Sequence, residues 1–377
     1  MPSILFAQKN QILHDQNKVI RDKFTVQPKD ILEINTGYTN IVIEEWDKSE
    51  IVFITTVTLN NSTEEDMNNL WNAIQLSAKQ KGKTVNYSLD VTWSGNAKTN
   101  NLHGFTEITL KITAPKDIYY DLKAKYGNVE MGSIKNDFNA KISYGTLKAI
   151  DMFGNKNNIQ IGYGSLTMDD LHGDENQVTI SYGNFRIFKA EQLSMELVYS
   201  NGEINFVDFL NLNSKYCDLK LGTVKFLSFS SGYDKITIQN QINKLNGEMK
   251  YGTLTINSLT TSCALPSFLH SNVTIKKVLR SFTDIHISAM YGNINLNITK
   301  DQSFAFNFSG RYTDIKDKNI KITNGVYFKG KPWNVDDGYF DYKTRTFDLK
   351  GNYGTNPNSG KSVKIEARYG SVSLFER

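Results

Sequence analysis

One short unit decides the fold, and two of its copies read Asp121-Leu-Lys-Ala-Lys-Tyr126-Gly-Asn-Val-Glu-Met131 and Val178-Thr-Ile-Ser-Tyr182-Gly-Asn-Phe-Arg-Ile187. Successive tyrosines between Tyr126 and Tyr251 are 17 to 19 residues apart, and a fixed period of about that length indicates a repeat architecture. The clear Tyr-Gly pairs are Tyr126-Gly127, Tyr144-Gly145, Tyr163-Gly164, Tyr182-Gly183, Tyr251-Gly252, Tyr291-Gly292 and Tyr369-Gly370. We interpret these residues as a structural repeat.

Each copy has the pattern of two strands joined at a corner. Apolar residues precede the tyrosine by four and two positions, as at Val178 and Ile180, and follow it by three and five, as at Phe185 and Ile187. Side chains alternate between the two faces of a strand, so this pattern predicts one inward face on either side of the Tyr-Gly step. Parity places the tyrosine on that inward face, and we expect the glycine to form the corner because it tolerates positive φ.

Stacking such units in register buries a face that a single unit would leave exposed. The sequence therefore predicts an all-β, single-chain β-solenoid, a parallel β-helix-like stack of 17–19-residue rungs. In three degenerate copies Ser200, Cys217 and Asp234 replace the repeat glycine, and these departures predict less regular rungs there.

The chain divides into four predicted segments: 1–16, a signal-peptide remnant or disordered N-terminus; 17–115, a small α+β cap; 116–258, the regular solenoid; and 259–377, irregular rungs and a C-terminal cap. The cap carries one predicted helix. Ser62 or Thr63 is suited to its N-cap, acidic residues follow in the first turn, and we expect the helix to end near Gly82.

Composition and charge restrict the functional classes. The 43 basic and 39 acidic residues are spread along the chain, whereas a nucleic-acid-binding protein concentrates basic residues on one face, so we predict no nucleic-acid partner. No stretch has the ~18 apolar residues of a transmembrane segment. Met1 to Gln8 is typical of the end of a secretory leader, with a small-residue cleavage site at Ala7. These features predict an exported protein of the periplasm, the cell surface or the surrounding medium.

The order of these features resembles a known family. A segment with one capped helix leads through Ile108-Thr-Leu-Lys-Ile-Thr-Ala-Pro115 into Tyr126-Gly-Asn-Val-Glu-Met-Gly, which is similar to the "putative adhesin" β-strand-repeat proteins of the bacterial cell envelope, a family with Tyr-Gly repeats. The resemblance covers about residues 30 to 377. It implies an exported, non-enzymatic β-solenoid and contributes no ligand residues.

Candidate catalytic and metal-binding residues are few. The histidines fall in no shared motif, and no nucleophile elbow, zinc-spaced pair or phosphate loop is present, so we predict no enzymatic site and no cofactor. The acidic turns Asp169–Glu175 and Asp336–Asp341 are candidate calcium ligands, although they match neither known calcium loop, and ordinary solvated turns are the preferred interpretation. Cys217 and Cys263 lie in no metal or redox spacing; a disulfide is compatible with export, and two separate buried thiols are favoured.

The tyrosines allow two interpretations. If the tyrosines are exposed, they form an aromatic binding platform. If they are buried, they form an internal ladder in which each ring packs on the next, and the alternation of inward and outward residues along the strand favours the ladder.

The predicted function is a structural or adhesin-like interaction module of the bacterial cell envelope that binds a protein or a glycan. A carbohydrate-binding or carbohydrate-active β-helix protein is the alternative, and an accessory of an envelope signalling system is a second alternative.

Overall fold

The computed structural model describes residues 14–92, 106–299, 301–316, 320–322, 326–328, 333–341, 343–356 and 358–375. The chain is 74% strand with one helix in the described part, and it forms a β-solenoid of about 9 turns, as the repeat predicts. It divides into two compact units, Met1–Ser165 and Leu166–Arg377. Residues 1–13 of the segment interpreted as a leader remnant lie outside the described residues.

Unit 1 contains twelve described strands and the helix. They are β1 (His14–Thr25), β2 (Ile31–Gly37), β3 (Asn40–Trp46), β4 (Glu50–Ser62), α1 (Glu64–Ala73), β5 (Ile74–Lys81), β6 (Thr84–Val91), β7 (Thr106–Pro115), β8 (Tyr119–Lys125), β9 (Val129–Met131), β10 (Phe138–Ser143), β11 (Thr146–Met152) and β12 (Lys156–Gly162).

The strands of unit 1 form two faces that meet at the Tyr corners. Before the corner, β6, β2, β8, β10 and β12 pair in parallel, and β5 adds antiparallel to β6. After the corner, β7, β3, β9 and β11 pair in parallel, and β4 and then β1 add antiparallel to β7. Antiparallel strands thus cover one end of each parallel face.

The helix begins where the sequence predicts and ends earlier. Thr63 is the N-cap: its hydroxyl accepts from the Asp66 amide at 3.1 Å, and the Asp66 carboxylate accepts from the Thr63 amide at 2.9 Å. The predicted end near Gly82 is wrong, because α1 stops at Ala73 and β5 follows it, paired with β6. Gly82, with φ of 59°, forms the tight turn of that hairpin.

Unit 2 contains the remaining strands. They are β13 (Ser165–Leu171, which begins at the last residue of unit 1), β14 (Glu175–Ser181), β15 (Asn184–Val198), β16 (Asn201–Lys215), β17 (Asp218–Gly232), β18 (Lys235–Lys250), β19 (Thr253–Ile256), β20 (Leu259–Leu269), β21 (Asn272–Val278), β22 (Asp284–Met290), β23 (Asn293–Ile298), β24 (Phe304–Arg311), β25 (Asp314–Lys316), β26 (Ile320–Ile322), β27 (Val326–Phe328), β28 (Trp333–Asp341), β29 (Thr346–Tyr353), β30 (Ser362–Arg368) and β31 (Ser371–Phe375).

The degenerate copies of the repeat form regular turns. Asn184, Asn201, Asp218 and Lys235 occupy equivalent positions in β15 to β18, which pair in parallel along almost their full length. The pairing is regular at the corners that Ser200, Cys217 and Asp234 occupy, and one register shift lies away from them, between Leu221 and Thr223 of β17.

The last turns of unit 2 are stacked out of sequence order. The pair β30 and β31 lies between β22–β23 on one side and β24–β25 on the other, in parallel with both. Two antiparallel strands, β29 and β28, then cover β24. After β23 the chain thus forms the outermost parallel turn, β24–β25, first. The later pair β30–β31 then occupies the position between that turn and β22–β23.

The apolar positions predicted for each rung form the core. Val178, Ile180, Phe185 and Ile187 are at most 5% exposed. In the turn of Tyr199 three of the four equivalent positions, Met195, Leu197 and Ile204, are buried, and the fourth is Gly202. The period-2 pattern was therefore sufficient to identify the interior of the solenoid.

Candidate interaction surface

The tyrosines of the repeat stack on one another along the outside of each unit. In unit 2 nine rings follow in the spatial order Tyr182, Tyr199, Tyr216, Tyr233, Tyr251, His270, Tyr291, Tyr369 and Tyr312, which we call the tyrosine stripe. Neighbouring ring centroids are 4.6 to 5.1 Å apart, and the planes differ by 2° to 18°. In unit 1, Tyr38, Tyr126, Tyr144 and Tyr163 stack in the same way, at 4.9 to 5.0 Å.

The prediction that these tyrosines face inward is wrong. The eight tyrosines of the stripe and the four stacked tyrosines of unit 1 are 37% to 54% exposed. Tyr216 is the least exposed of them, at 37%. Each has a positive φ, between 49° and 61°, in the left-handed region that L-residues seldom adopt. The corner lies at the tyrosine itself, one residue earlier than expected, and the left-handed backbone turns the side chain outward.

The glycine is required for close packing between turns, and its φ is not positive. A Cβ on Gly145 would lie 2.0 Å from the carbonyl oxygen of Gly127, and one on Gly164 would lie 2.0 Å from that of Gly145. In unit 2 the same holds for Gly370, whose Cβ would lie 1.9 Å from the Gly292 oxygen. The expectation of positive φ at the glycine is therefore also wrong.

In some turns the residue after the aromatic residue is not glycine, and its polar side chain hydrogen-bonds to a backbone carbonyl at the corner. The Ser200 hydroxyl donates to the Val198 carbonyl at 2.8 Å, and Ser271 makes the equivalent bond to Leu269 at 2.9 Å. Residues at this position are therefore small or polar and short. The hydroxyl adds a second hydrogen bond to a carbonyl that already accepts a tyrosine amide of the neighbouring turn, since the Tyr182 amide donates to Val198 at 3.0 Å and the Tyr251 amide donates to Leu269 at 2.9 Å.

Asp234 extends this arrangement into a buried network. It is 3% exposed, and one carboxylate oxygen accepts from the hydroxyls of Ser214 (2.7 Å) and Ser231 (2.6 Å). The other oxygen accepts from the Cys217 amide at 2.7 Å. The carboxylate thus connects two successive turns beneath the stripe.

A shallow groove of about 600 Å³ runs beside the stripe. Tyr216, Tyr233 and Tyr251 form one wall, and the residues two positions after each tyrosine, such as Asn201 and Asp218, form the other. Hydrogen bonds connect such residues of successive turns, and we call this row the polar ladder. The side-chain oxygen of Asn201 accepts from the backbone amide of Asp218 at 3.0 Å, and that of Asn272 accepts from the backbone amide of Asn293 at 2.9 Å. The groove is open along its length, which suits an extended ligand.

Basic side chains line the other flank of the stripe. Lys215, Lys250, Arg311 and Arg368 each directly precede an aromatic residue of the stripe, and all four are exposed. The Lys215 ammonium lies 5.1 Å from the centroid of the Tyr216 ring, and the Arg311 guanidinium lies 5.4 Å from that of Tyr312. This flank has no acidic residue in unit 2.

A second exposed aromatic set lies elsewhere on unit 2. Phe188, Phe206 and Phe209 are 48%, 43% and 53% exposed, and the first two make an edge-to-face contact at 5.5 Å. They do not belong to a continuous stack.

The other candidates from the sequence contribute no chemical site. Among the described residues no group of three or more His, Cys, Asp or Glu side chains is placed to hold a metal ion, and this includes the described parts of both acidic turns. Cys217 and Cys263 are separate buried thiols, and burial raises the pKa of each. No helix in the described part of the chain is long and apolar enough to cross a membrane.

The fold and this surface define a β-solenoid with an aromatic stripe. The chain belongs to the Toastrack DUF4097 family, whose model matches residues 30–244. The predicted resemblance to an adhesin-like family is supported at this level; that Tyr-Gly repeats characterise the family stays a prediction. No curated protein sequence matches.

Solved structures that match the chain include a "putative adhesin" from Parabacteroides merdae, at 12% identity over 74% of this chain and 95% of that chain, with a TM-score of 0.34. A "putative lipid binding protein" from Parabacteroides distasonis is 14% identical over 74% and 96%, with a TM-score of 0.27. A "putative adhesin" from Bacteroides fragilis is 14% identical over 95% and 97%, with a TM-score of 0.20. The words "adhesin" and "lipid binding" are names of those three proteins and assign no function to this chain.

Proposed function

We propose that this protein is an exported, non-catalytic, adhesin-like module of the bacterial cell envelope that binds its partner through the tyrosine stripe. The carrying observation is the outward orientation of eight tyrosines on one continuous line. A non-glycine residue in the left-handed region costs of the order of 1–2 kcal/mol. Eight turns of unit 2 nevertheless have a tyrosine in this conformation, with its ring partly exposed to solvent.

The size of the stripe supports a role in binding. An aromatic side chain has about 150–250 Å² to bury, so eight tyrosines, each about two-fifths to one-half exposed, present roughly 500–1,000 Å². A standard protein interface buries about 800 Å² per partner, and a monomer's largest apolar patch is about 300–600 Å². The stripe therefore has the area of an interaction surface.

An adhesion assay tests the proposal. Beads coated with the full chain are applied to isolated envelopes of the native host, and bound beads are counted. The variant Tyr199→His/Tyr216→His/Tyr233→His keeps rings that stack, since His270 already occupies the stripe between Tyr251 and Tyr291 at 4.9 and 4.7 Å. We expect at least a tenfold loss of binding.

The matched control is Phe188→His/Phe206→His/Phe209→His, which changes three exposed rings outside the stripe. Equal binding by the two variants, with both folded by circular dichroism, would refute the role of the stripe. Fractionation of host cells tests export: recovery of the protein in the cytosolic fraction, and in neither the envelope and periplasmic fractions nor the medium, would contradict it. Release of new reducing ends from any polysaccharide would contradict the non-catalytic assignment.

A further inference from the structure

We propose that the tyrosine stripe binds an extended anionic glycan, a polysaccharide with carboxylate or phosphate groups along its chain. The proposal rests on the proposed function, because it names the class of partner for the same surface. Three features of the stripe support it: the part of each ring that is accessible, the unpaired cations beside it, and the polar ladder along the groove.

The rings present their edges to solvent. Seven interior rings, from Tyr199 to Tyr369 in spatial order, have a neighbour stacked on each face, so a flat ligand has no free face on which to lie. Sugar rings that stack on an aromatic face are therefore excluded from this part of the stripe. The accessible edge is the positive part of the ring quadrupole, and in tyrosine it ends in a hydroxyl donor. Such an edge favours an anion.

The cations of the basic flank are unpaired. Lys215, Lys250, Arg311 and Arg368 form no salt bridge within the described residues. Ring edges, hydroxyl donors and these four cations lie on the same line. Their charge is complementary to an anionic polymer.

Most of the nearby acidic side chains are already engaged, and the exposed Glu196, three residues before Tyr199, is the exception. Asp218 pairs with Lys235 at 3.1 Å, and Asp314 pairs with Arg345 at 3.3 Å. Glu366, which lies two residues before Arg368, is bound by Lys364 at 2.6 Å. Glu248, two residues before Lys250, accepts from the Ser230 hydroxyl at 3.3 Å. Within the described residues the flank therefore has four cations against two nearby carboxylates without a salt bridge, Glu196 and Glu248.

The polar ladder favours a glycan over a bare polyanion. Asn201, Asn272 and Asn293 use their side-chain oxygens within the ladder, and their amide nitrogens donate no hydrogen bond in the described part of the chain. Asn201 lines the groove, and Asn272 and Asn293 hold the same position in two later turns. Asp218, Lys235 and Thr253 hold it in the three turns between Asn201 and Asn272, so the row alternates amide, charged and hydroxyl groups. Sugar hydroxyls and ring oxygens are acceptors that such a row can bind, whereas a chain of phosphates alone would leave the polar wall unused.

Binding of defined polymers to the full chain tests the proposal. The probes are polygalacturonate, the same polymer with its carboxylates methyl-esterified, and inorganic polyphosphate, each measured by biolayer interferometry. We expect the acidic glycan to bind at least tenfold more tightly than its ester, a difference of about 1.4 kcal/mol. Its binding should weaken between ~0.1 M and ~1 M salt, over which the Debye length falls from about 10 to about 3 Å.

A charge-matched pair of variants locates the site. Lys215→Gln/Lys250→Gln/Arg311→Gln/Arg368→Gln should lose at least tenfold in affinity for polygalacturonate. The control changes four exposed lysines of unit 2 outside the flank, Lys189, Lys244, Lys276 and Lys277, each to Gln. Both variants lower the net charge by four, and the control should bind within about twofold of the wild type.

The outcomes separate this proposal from the previous one. Equal loss in both charge variants, equal binding of the ester, or polyphosphate binding as tight as that of polygalacturonate would each overturn the assignment of an anionic glycan. If envelope adhesion still depended on Tyr199, Tyr216 and Tyr233 in that event, the stripe would keep its proposed role with a different partner. Adhesion independent of the stripe would overturn both.

Discussion

Replacing Tyr216 by glycine should destabilise the protein less than replacing it by alanine. Both changes remove a ring that stacks on Tyr199 at 4.6 Å and on Tyr233 at 4.8 Å and is 63% covered (100% less the 37% exposed). Two stacked contacts at ~0.5–1.5 kcal/mol each, with the apolar area lost, amount to about 2–4 kcal/mol. This loss is common to the two variants.

The difference between them arises from the backbone. Tyr216 has φ of 58°, and alanine would retain a left-handed strain of about 1–2 kcal/mol that glycine does not have. Glycine loses about 0.5–1 kcal/mol more conformational entropy on folding. Glycine should therefore be the more stable variant by about 0.5–1 kcal/mol, and Tyr216→Phe, which keeps the stack, should remain close to wild type.

Urea unfolding of the three variants measures these differences. Asn213, an exposed strand residue of the same turn, provides the control: there alanine should be more stable than glycine, as in an ordinary strand. If Tyr216→Gly proved less stable than Tyr216→Ala by the same margin as at Asn213, the left-handed corner would be refuted. A near-zero effect of both changes would refute the contribution of stacking.

Three further predictions concern the interior. Gly145→Ala should cost about 3 kcal/mol or more by urea unfolding, because its Cβ would meet the Gly127 carbonyl oxygen at 2.0 Å, whereas Gly132→Ala, with nothing within 4 Å, should be nearly neutral. Asp234→Ala should cost about 3–5 kcal/mol, since it leaves three donors unpaired, and a loss below ~1 kcal/mol would contradict the buried network. Burial raises the pKa of Glu45 from 4.5 to about 7. Between these pH values the folded protein binds a proton that the unfolded chain releases, so the free energy of unfolding should fall as the pH rises through this range. For this half-buried group the fall should be of the order of 1–2 kcal/mol, and Glu45→Gln should abolish it.

Sequence periodicity predicted the rung because burial in a strand is a local property. Val178 and Ile180 before the corner, and Phe185 and Ile187 after it, are buried as alternation requires. The one-residue slip between the two runs was also visible. It indicated that the backbone leaves the strand conformation somewhere between Ile180 and Phe185, and it did not indicate which residue does so.

The orientation of the tyrosine could not be predicted from local preference. Glycine is the residue that usually adopts positive φ, and here tyrosine does so because stacking with the turns on either side offsets the strain. That compensation comes from residues 17 or more positions away. One signal was present: His270 occupies the tyrosine position between Tyr251 and Tyr291, and histidine is more tolerant of the left-handed region than most residues.

The order of the last turns was also beyond the sequence pattern. The copy at Tyr369 has apolar residues at all four positions of the repeat, whereas the copy at Tyr312 has Gly310 and Asp317 at two of them. This difference does not indicate which copy pairs with the turn of Tyr291. The antiparallel strands β29 and β28 extend β24, which places the Tyr312 turn outermost and leaves the inner position to β30 and β31. Pairing between distant segments decides this order.

The left-handed backbone of the tyrosine causes both the strain at each corner and the outward orientation of the rings in the stripe. The left-handed tyrosine leads the ring outward, and the spacing of parallel strands, about 4.7–4.9 Å, sets the distance to the next ring. That spacing is close to the 4.6 to 5.1 Å between ring centroids, so the rings stack and cover one another's faces. A solenoid corner that projects an aromatic ring therefore yields a row of edges and hydroxyls in place of a flat platform. A partner that recognises this row must do so by polarity and charge along its length, and this requirement favours an extended anionic glycan over a ligand that stacks.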